Sequence, residues 1–242
     1  TAETALPTLV AVKHNTPCGI GSAATLSEAF DKAYACDPVS IFGGILACTT
    51  AVDEESAQKM AKLFFEIVVA PEYSPEALKV FAAKKNLRVM VCKTAPADVF
   101  ETIAVDGGLL VQSADRKLLE KWELVTKKAP AAEDIEELVF GMRAVSYVKS
   151  NAITVVKNRA ALGIGGGQTN RIWAAQHAIE RAKEGIAFLQ KDGLDDGTAP
   201  RIMASDAFFP FADVVECAAK AGIECIIQPG GSIRDKESIE AC

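Results

Sequence analysis

Only two histidines, His14 and His177, occur in the 242 residues, so any imidazole chemistry rests on one or both of them. No pair of the seven cysteines shows Cys-x-x-Cys spacing, and their number is odd. That argues against a disulfide framework and against a zinc ribbon, and it fits free thiols in a reducing compartment. No apolar run approaches the roughly 18 residues a membrane helix needs. Basic residues are outnumbered, 26 against 32 acidic, for a net charge of −6. A broad nucleic-acid or membrane footprint is therefore not expected, although a local phosphate site remains open. Residues 1–6 lack a basic stretch followed by an apolar core, so a cytoplasmic location is expected. What remains is 50% hydrophobic and 24% charged, the composition of a soluble globular protein.

Hydrophobic periodicity predicts an α/β chain whose two halves repeat one order of elements. In the first half, strands are expected at 8–12, 40–47, 67–70 and 88–92, with helices at 26–34, 52–65 and 75–82. A turn rich in proline and glycine follows the first strand. In the second half, strands are expected at 152–156, 201–206 and 224–228, with helices at 171–183, at 213–221 and after Ser232. A glycine turn at 163–168 and a polar insert at 191–200 lie between them. The domain reading is a half over 1–112, a charged helical linker over 113–149 and a second half over 150–242. Buried strands would be covered on both faces by amphipathic helices.

Four constellations could carry chemistry. Lys13 and His14 can serve one site only where a strand ends, because neighbours on a strand point to opposite faces. The following Pro17, Gly19 and Gly21 would supply that turn. The bland reading is a backbone-bonded histidine beside a solvated lysine. A zinc nucleoside deaminase would need His-x-Glu and Pro-Cys-x-x-Cys, but Thr16 and Gly21 stand at the deciding positions. The run 163–168 lacks the third glycine of a dinucleotide fingerprint, since Gln168 stands there. It reads either as a small-anion site with Arg171 or as a turn for close strand–helix packing. Around Pro210, Phe208, Phe209 and Phe211 are too crowded to all face a core. They suggest a platform for a flat heterocycle with Asp213 facing a ring N–H pair, or else a hydrophobic staple. Ser150-Asn151 could orient a substrate or simply cap a turn. His177 reads as structural or exposed, and Cys18 as an ordinary thiol.

Several short motifs, in order along nearly the whole chain, resemble one family. They are Lys13-His14-x-x-Pro17-Cys18-Gly19, Asp37-Pro38-x-Ser40-x-Phe42-Gly43-Gly44, Lys84-Lys85-Asn86-Leu87-Arg88, Gly107 to Gln112, Val148 to Ile153, Gly163 to Gln168, Ala204 to Phe211, and Gln228 to Asp235. Together they are similar to the AICAR transformylase part of the AICAR transformylase/IMP cyclohydrolase family. The resemblance implies a duplicated three-layer α-β-α cytidine-deaminase-like fold without zinc. It implies transfer of a formyl group from 10-formyltetrahydrofolate to the 5-amino group of AICAR, in a homodimer with sites at the subunit interface. By analogy His14 would carry the proton, Lys13 would stabilise the developing oxyanion, and Asn151 would orient the formyl group and amine. Arg171 would lie near nucleotide or folate carboxylates, and Phe42, Gly43, Ile172, Phe208 and Asp213 would line the pockets. A monovalent cation near Ser150 and Asp206 is also implied, with Ala152 in place of a common serine. Thr16 replaces the usual asparagine before Pro17. The cyclohydrolase domain and the family's terminal site segments are not in this chain. The alternative is therefore a noncatalytic nucleotide- or folate-binding relative.

Overall fold

The computed structural model describes residues 6–93, 100–115 and 117–242; residues 1–5, read above for a leader, lie outside them. Strands β1 (Thr8–Lys13) and β2 (Thr16–Ser22) form a hairpin. Its two connecting residues, His14 and Asn15, both have positive φ, 53° and 58°, the geometry whose twist suits a two-residue hairpin. The turn expected after His14 is thus two residues long, and the rest of that stretch is strand. Pro17 pairs with Val12 beside a register shift, where its missing N–H is tolerated.

A capping box of Thr25 and Glu28 opens α1 (Leu26–Cys36). In the segment after it, Asp37 Oδ1 accepts from the Val39 and Ser40 amides (3.2 and 2.7 Å). That turn consumes the first part of the strand expected at 40–47, leaving β3 (Ile45–Cys48). Helix α2 (Glu54–Met60), capped by Asp53, is also shorter than its pattern suggested. Strand β4 (Ile67–Ala70), helix α3 (Pro75–Ala82) and strand β5 (Arg88–Val91) complete the first run. Next come β6 (Phe100–Val105) and β7 (Gly108–Ser113), a separate two-stranded ribbon that the periodicity did not reveal. The expected helical linker is helical only in α4 (Ala132–Val145).

The second run repeats the first. Strands β8 (Ile153–Lys157) and β9 (Ala160–Gly165) form another two-residue hairpin, with Asn158 and Arg159 at positive φ. Then follow α5 (Arg171–Lys191), β10 (Ile202–Ser205), α6 (Asp213–Lys220), β11 (Cys225–Ile227) and α7 (Asp235–Ala241). The first half of the glycine run at 163–168 is the end of β9, and the chain bends only after it, at Gly167 with φ 66°. The polar insert is pinned to β8 by Lys157, whose Nζ meets Asp195 and Asp196 at 2.7 and 2.8 Å.

One nine-stranded mixed sheet results, in the order β11-β10-β8-β9-β2-β1-β3-β4-β5. The second half's β9-β8-β10-β11 mirrors the first half's β2-β1-β3-β4, and the two hairpins meet at antiparallel β2 and β9. Alternate residues of each strand serve different layers. Leu9 and Ala11 of β1 pack with α1, α2 and α3, while Ile153 and Val155 of β8 pack with α5 and α6. Among the described residues, the helix on the opposite face of the second half is α4, which packs through Leu138, Ala144 and Val145. The expected helical cover on both faces is therefore uneven. No helix among the described residues is long and apolar enough to cross a membrane.

The central strands allow this packing because they lack side chains where the helices sit. A Cβ on Gly19 or Gly21 would lie 2.1 and 2.4 Å from the Ala33 and Ala29 carbonyl oxygens of α1. On β9, a Cβ on Gly163 or Gly165 would lie 1.8 and 2.1 Å from the Ala178 and Ala174 oxygens of α5. In both halves a Gly-Ile-Gly strand meets an Ala-x-x-x-Ala helix face. These distances support the close strand–helix packing read for the glycine run. Gly163→Ala is expected to lower the unfolding free energy by about 3 kcal/mol. Gly108→Ala, with nothing within 4 Å of its added methyl, should change it by less than about 0.5 kcal/mol. Urea denaturation of both variants checks this, and equal effects would remove the packing account.

Candidate active site

All of the sequence-derived candidates gather along one edge of the sheet, but in two groups. The register sets this edge: Lys13 faces Thr16, Val12 faces Ile45, and Ile153 faces both Gly165 and Ser205. The β1–β2 hairpin tip, the start of β3, the start of β8 and the end of β10 therefore lie side by side. Between β1 and β8 stand β2 and β9, so two strands separate the two groups.

The first group surrounds the hairpin tip. Lys13 Nζ donates to the Phe42 carbonyl at 2.9 Å, which ties the end of β1 to the turn before β3. Gly43, at φ 72°, donates its N–H to the Phe64 carbonyl at 2.8 Å. The Phe42 and Phe64 rings stand 5.5 Å apart, and Phe42 is exposed. His14 is exposed at the left-handed tip position. Among the described residues its imidazole has no hydrogen-bond partner, so the backbone-bonded reading of this histidine does not hold.

The second group is a polar network around a buried guanidinium. Arg171 opens α5 behind the Asn170 cap, and its side chain is 8% exposed. Its Nη1 reaches Asp206 Oδ1 at 2.5 Å and Ser205 Oγ at 2.9 Å, while Nη2 reaches Asn151 Oδ1 at 2.7 Å. Asp206 also accepts from the Ala152 amide at 3.0 Å and from the Ser150 hydroxyl. Asn151 Nδ2 donates to the Gln168 carbonyl at 2.9 Å. Arg171, expected beside ligand carboxylates, thus spends much of its donor capacity on the protein itself. The cation expected near Ser150 and Asp206 does not fit this arrangement. The guanidinium already neutralises the carboxylate, and the neighbouring groups donate to it.

Further along the same edge, Phe209 is 2% exposed and enters the core, while Phe208 and Phe211 face outward. Arg234 lies over the Phe211 ring, 4.6 Å from its centroid. Ile172 is half-buried against the α5 core, and Asp213 is exposed at the start of α6, accepting from the Val214 amide. His177 is exposed on α5. Burial pushes the Cys18 thiol up to about 11 and those of Cys36 and Cys48 to about 12, so these are inert thiols at neutral pH. Local sequence gives no sign of how Asp206 and Ser205 meet Arg171 and the segment before β8, all more than thirty residues away.

A family model described as "AICARFT/IMPCHase bienzyme" matches residues 1–181. The chain belongs to the AICARFT/IMPCHase family. The "Bifunctional purine biosynthesis protein PurH" of Clostridium botulinum (strain Kyoto / Type A2) is 54% identical over 232 residues. That alignment covers 96% of this chain and 44% of the relative. The protein of the same description from Clostridium kluyveri (strain NBRC 12016) is 54% identical over 233 residues, with the same shares covered. The chain thus spans less than half the length of these family members.

Burial alone would raise the Asp206 carboxyl, but hydrogen bonds from Ser150, Arg171 and the Ala152 amide outweigh it and hold the carboxyl below its usual range. A carboxyl depressed on folding stabilises the fold at pH values above its unfolded pKa, about 3.9, and loses that contribution as pH falls through the folded value. The urea midpoint of wild type should exceed that of Asp206→Asn at pH 6, with the gap narrowing by pH 3. A constant gap would show that the charge of Asp206 does not matter to the fold.

Proposed function

We propose that this chain transfers the formyl group of 10-formyltetrahydrofolate to the 5-amino group of AICAR. The observation that carries the reading is the hairpin tip, in a chain that belongs to this family. It offers an exposed imidazole beside a lysine at the open end of the sheet. His14 would take the proton of the attacking amine and pass it toward the folate nitrogen that leaves. Lys13 would face the formyl oxygen as negative charge develops there, an electrostatic role at the transition state. Asn151 would hold the reacting groups in line. Phe42, Gly43, Ile172, Phe208 and Asp213 would line the nucleotide and pterin pockets, and the outward rings of Phe42 and Phe208 suit flat heterocycles.

The repeated hairpin–helix–strand order supports reading the fold as duplicated cytidine-deaminase-like halves, 1–112 and 150–242, joined by 113–149. A homodimer belongs to the same proposal. Two strands, β2 and β9, separate the groups, and in this proposal a second copy brings its hairpin tip to Asn151. The β6–β7 ribbon supports this, since Phe100, Ile103, Leu109, Leu110 and Val111 are all exposed, and an isolated two-stranded ribbon is marginal in water. Inert free thiols suit a cytoplasmic enzyme.

Two measurements test this reading. Incubation with AICAR and 10-formyltetrahydrofolate should yield the formylated nucleotide, and His14→Ala should lower kcat about 10²–10⁴-fold. Tight nucleotide binding by calorimetry without turnover would instead favour the noncatalytic relative. Mixing His14→Ala with Asn151→Asp should restore part of the lost activity, because a mixed dimer carries one intact shared site. Absence of any recovery, with subunit exchange shown by mass, would place both groups in one chain.

A further inference from the structure

The side-chain amide of Asn151 is held at both ends by partners whose polarity leaves no choice. Arg171 can only donate and the Gln168 carbonyl can only accept. Oδ1 therefore faces the guanidinium at 2.7 Å, and Nδ2 faces the carbonyl at 2.9 Å. An amide orientation is ordinarily ambiguous; here the chemistry of the neighbours settles it. The backbone adds to the hold, since the Asn151 N–H donates to the Gln168 carbonyl (3.1 Å) and the Gln168 N–H returns a bond at 3.4 Å.

Arg171 is itself immobilised. Ser205 donates its hydroxyl proton to the Ala207 carbonyl at 2.7 Å, so its oxygen accepts from Arg171. Asp206 takes the other Nη1 proton and is anchored in turn by Ala152 and Ser150. Arg171 and Asp206 side chains are 8% and 11% exposed, so water screens the cation little. A charge-assisted bond at Oδ1 draws electron density from the amide. It weakens Oδ1 as a further acceptor and strengthens the remaining Nδ2–H as a donor.

We propose that Asp206, acting through Arg171, and the Gln168 carbonyl are positioning groups that set Asn151 as a hydrogen-bond donor to a substrate oxygen, not an acceptor for its amine. The inference rests on the formyl-transfer reading. In that reaction the formyl oxygen gains negative charge at the transition state, so a donor aimed at it raises kcat more than it lowers KM.

Steady-state kinetics and amide NMR on the full chain test this together. Asn151→Asp keeps the shape and the Arg171 contact but replaces the donor by an oxygen that can only accept, facing the Gln168 carbonyl. It should lower kcat about 10²-fold or more, with KM for both substrates within about threefold. Asp206→Asn and Arg171→Lys should each lower kcat about tenfold with the same small KM change. In a ¹⁵N–¹H spectrum, the Asn151 side-chain pair, identified by its loss in Asn151→Asp, should show two well-separated protons. Their separation should narrow in Asp206→Asn. Any of the three variants retaining wild-type kcat, or an effect confined to KM, overturns the proposal; so does an unaltered amide pair in a folded Asp206→Asn. Should Asp206→Asn not fold, Arg171→Lys carries the same readouts. If wild type transfers no formyl group, the activity reading fails while the amide spectrum still decides whether the network holds Asn151.

Discussion

Direct contact between two helices and two strands at the centre of the sheet underlies the rest of the molecule. Helix α1 seats on β2 because Gly19 and Gly21 leave room for the carbonyls of Ala33 and Ala29, and α5 seats on β9 through Gly163 and Gly165 in the same way. The two helices then lie against one another where Gly185 approaches the Ala35 carbonyl and the Tyr34 and Phe188 rings meet edge to face. These contacts join the two hydrophobic clusters into one layer. Packing at this density leaves no slack for even one methyl group.

From that junction follows the placement of the chemistry. Because β2 and β9 run antiparallel, the hairpin tip of one half lies at the same sheet edge as the open end of the other hairpin. Lys13 and His14 are thereby aligned with Asn151, Arg171 and Asp206. Two intervening strands, β2 and β9, separate them. The two groups differ in character as well. The first presents an exposed imidazole with no hydrogen-bond partner among the described residues, whereas the second is an internally bonded network in which a buried ion pair orients an amide.

Legibility from the sequence varied with how local the cause was. Helix 75–82 was readable to the residue because Pro75 starts it, Ser74 caps it, and its apolar residues recur at helical spacing. Strand 67–70 was readable because its β-branched run ends at Pro71. The glycine runs misled, since a glycine that permits a turn and one that permits a helix to approach look alike in one dimension. The ribbon at 100–113 escaped although Asp106-Gly107 sits at its turn, because its apolar residues do not alternate and both of its faces are exposed.

The sequence by itself determined which residue types exist to do chemistry, with two histidines narrowing the imidazole to His14 or His177. It also determined the repeated order of elements, because periodicity, caps and turn residues act over a few positions. Tertiary structure alone decided that Arg171 serves Asp206 and Asn151, and that His14 stands exposed. It likewise decided that these groups share one end of the sheet with two strands between them. Those outcomes depend on strand register and on the seating of helices over glycine, contacts between residues far apart in the chain that no local pattern encodes.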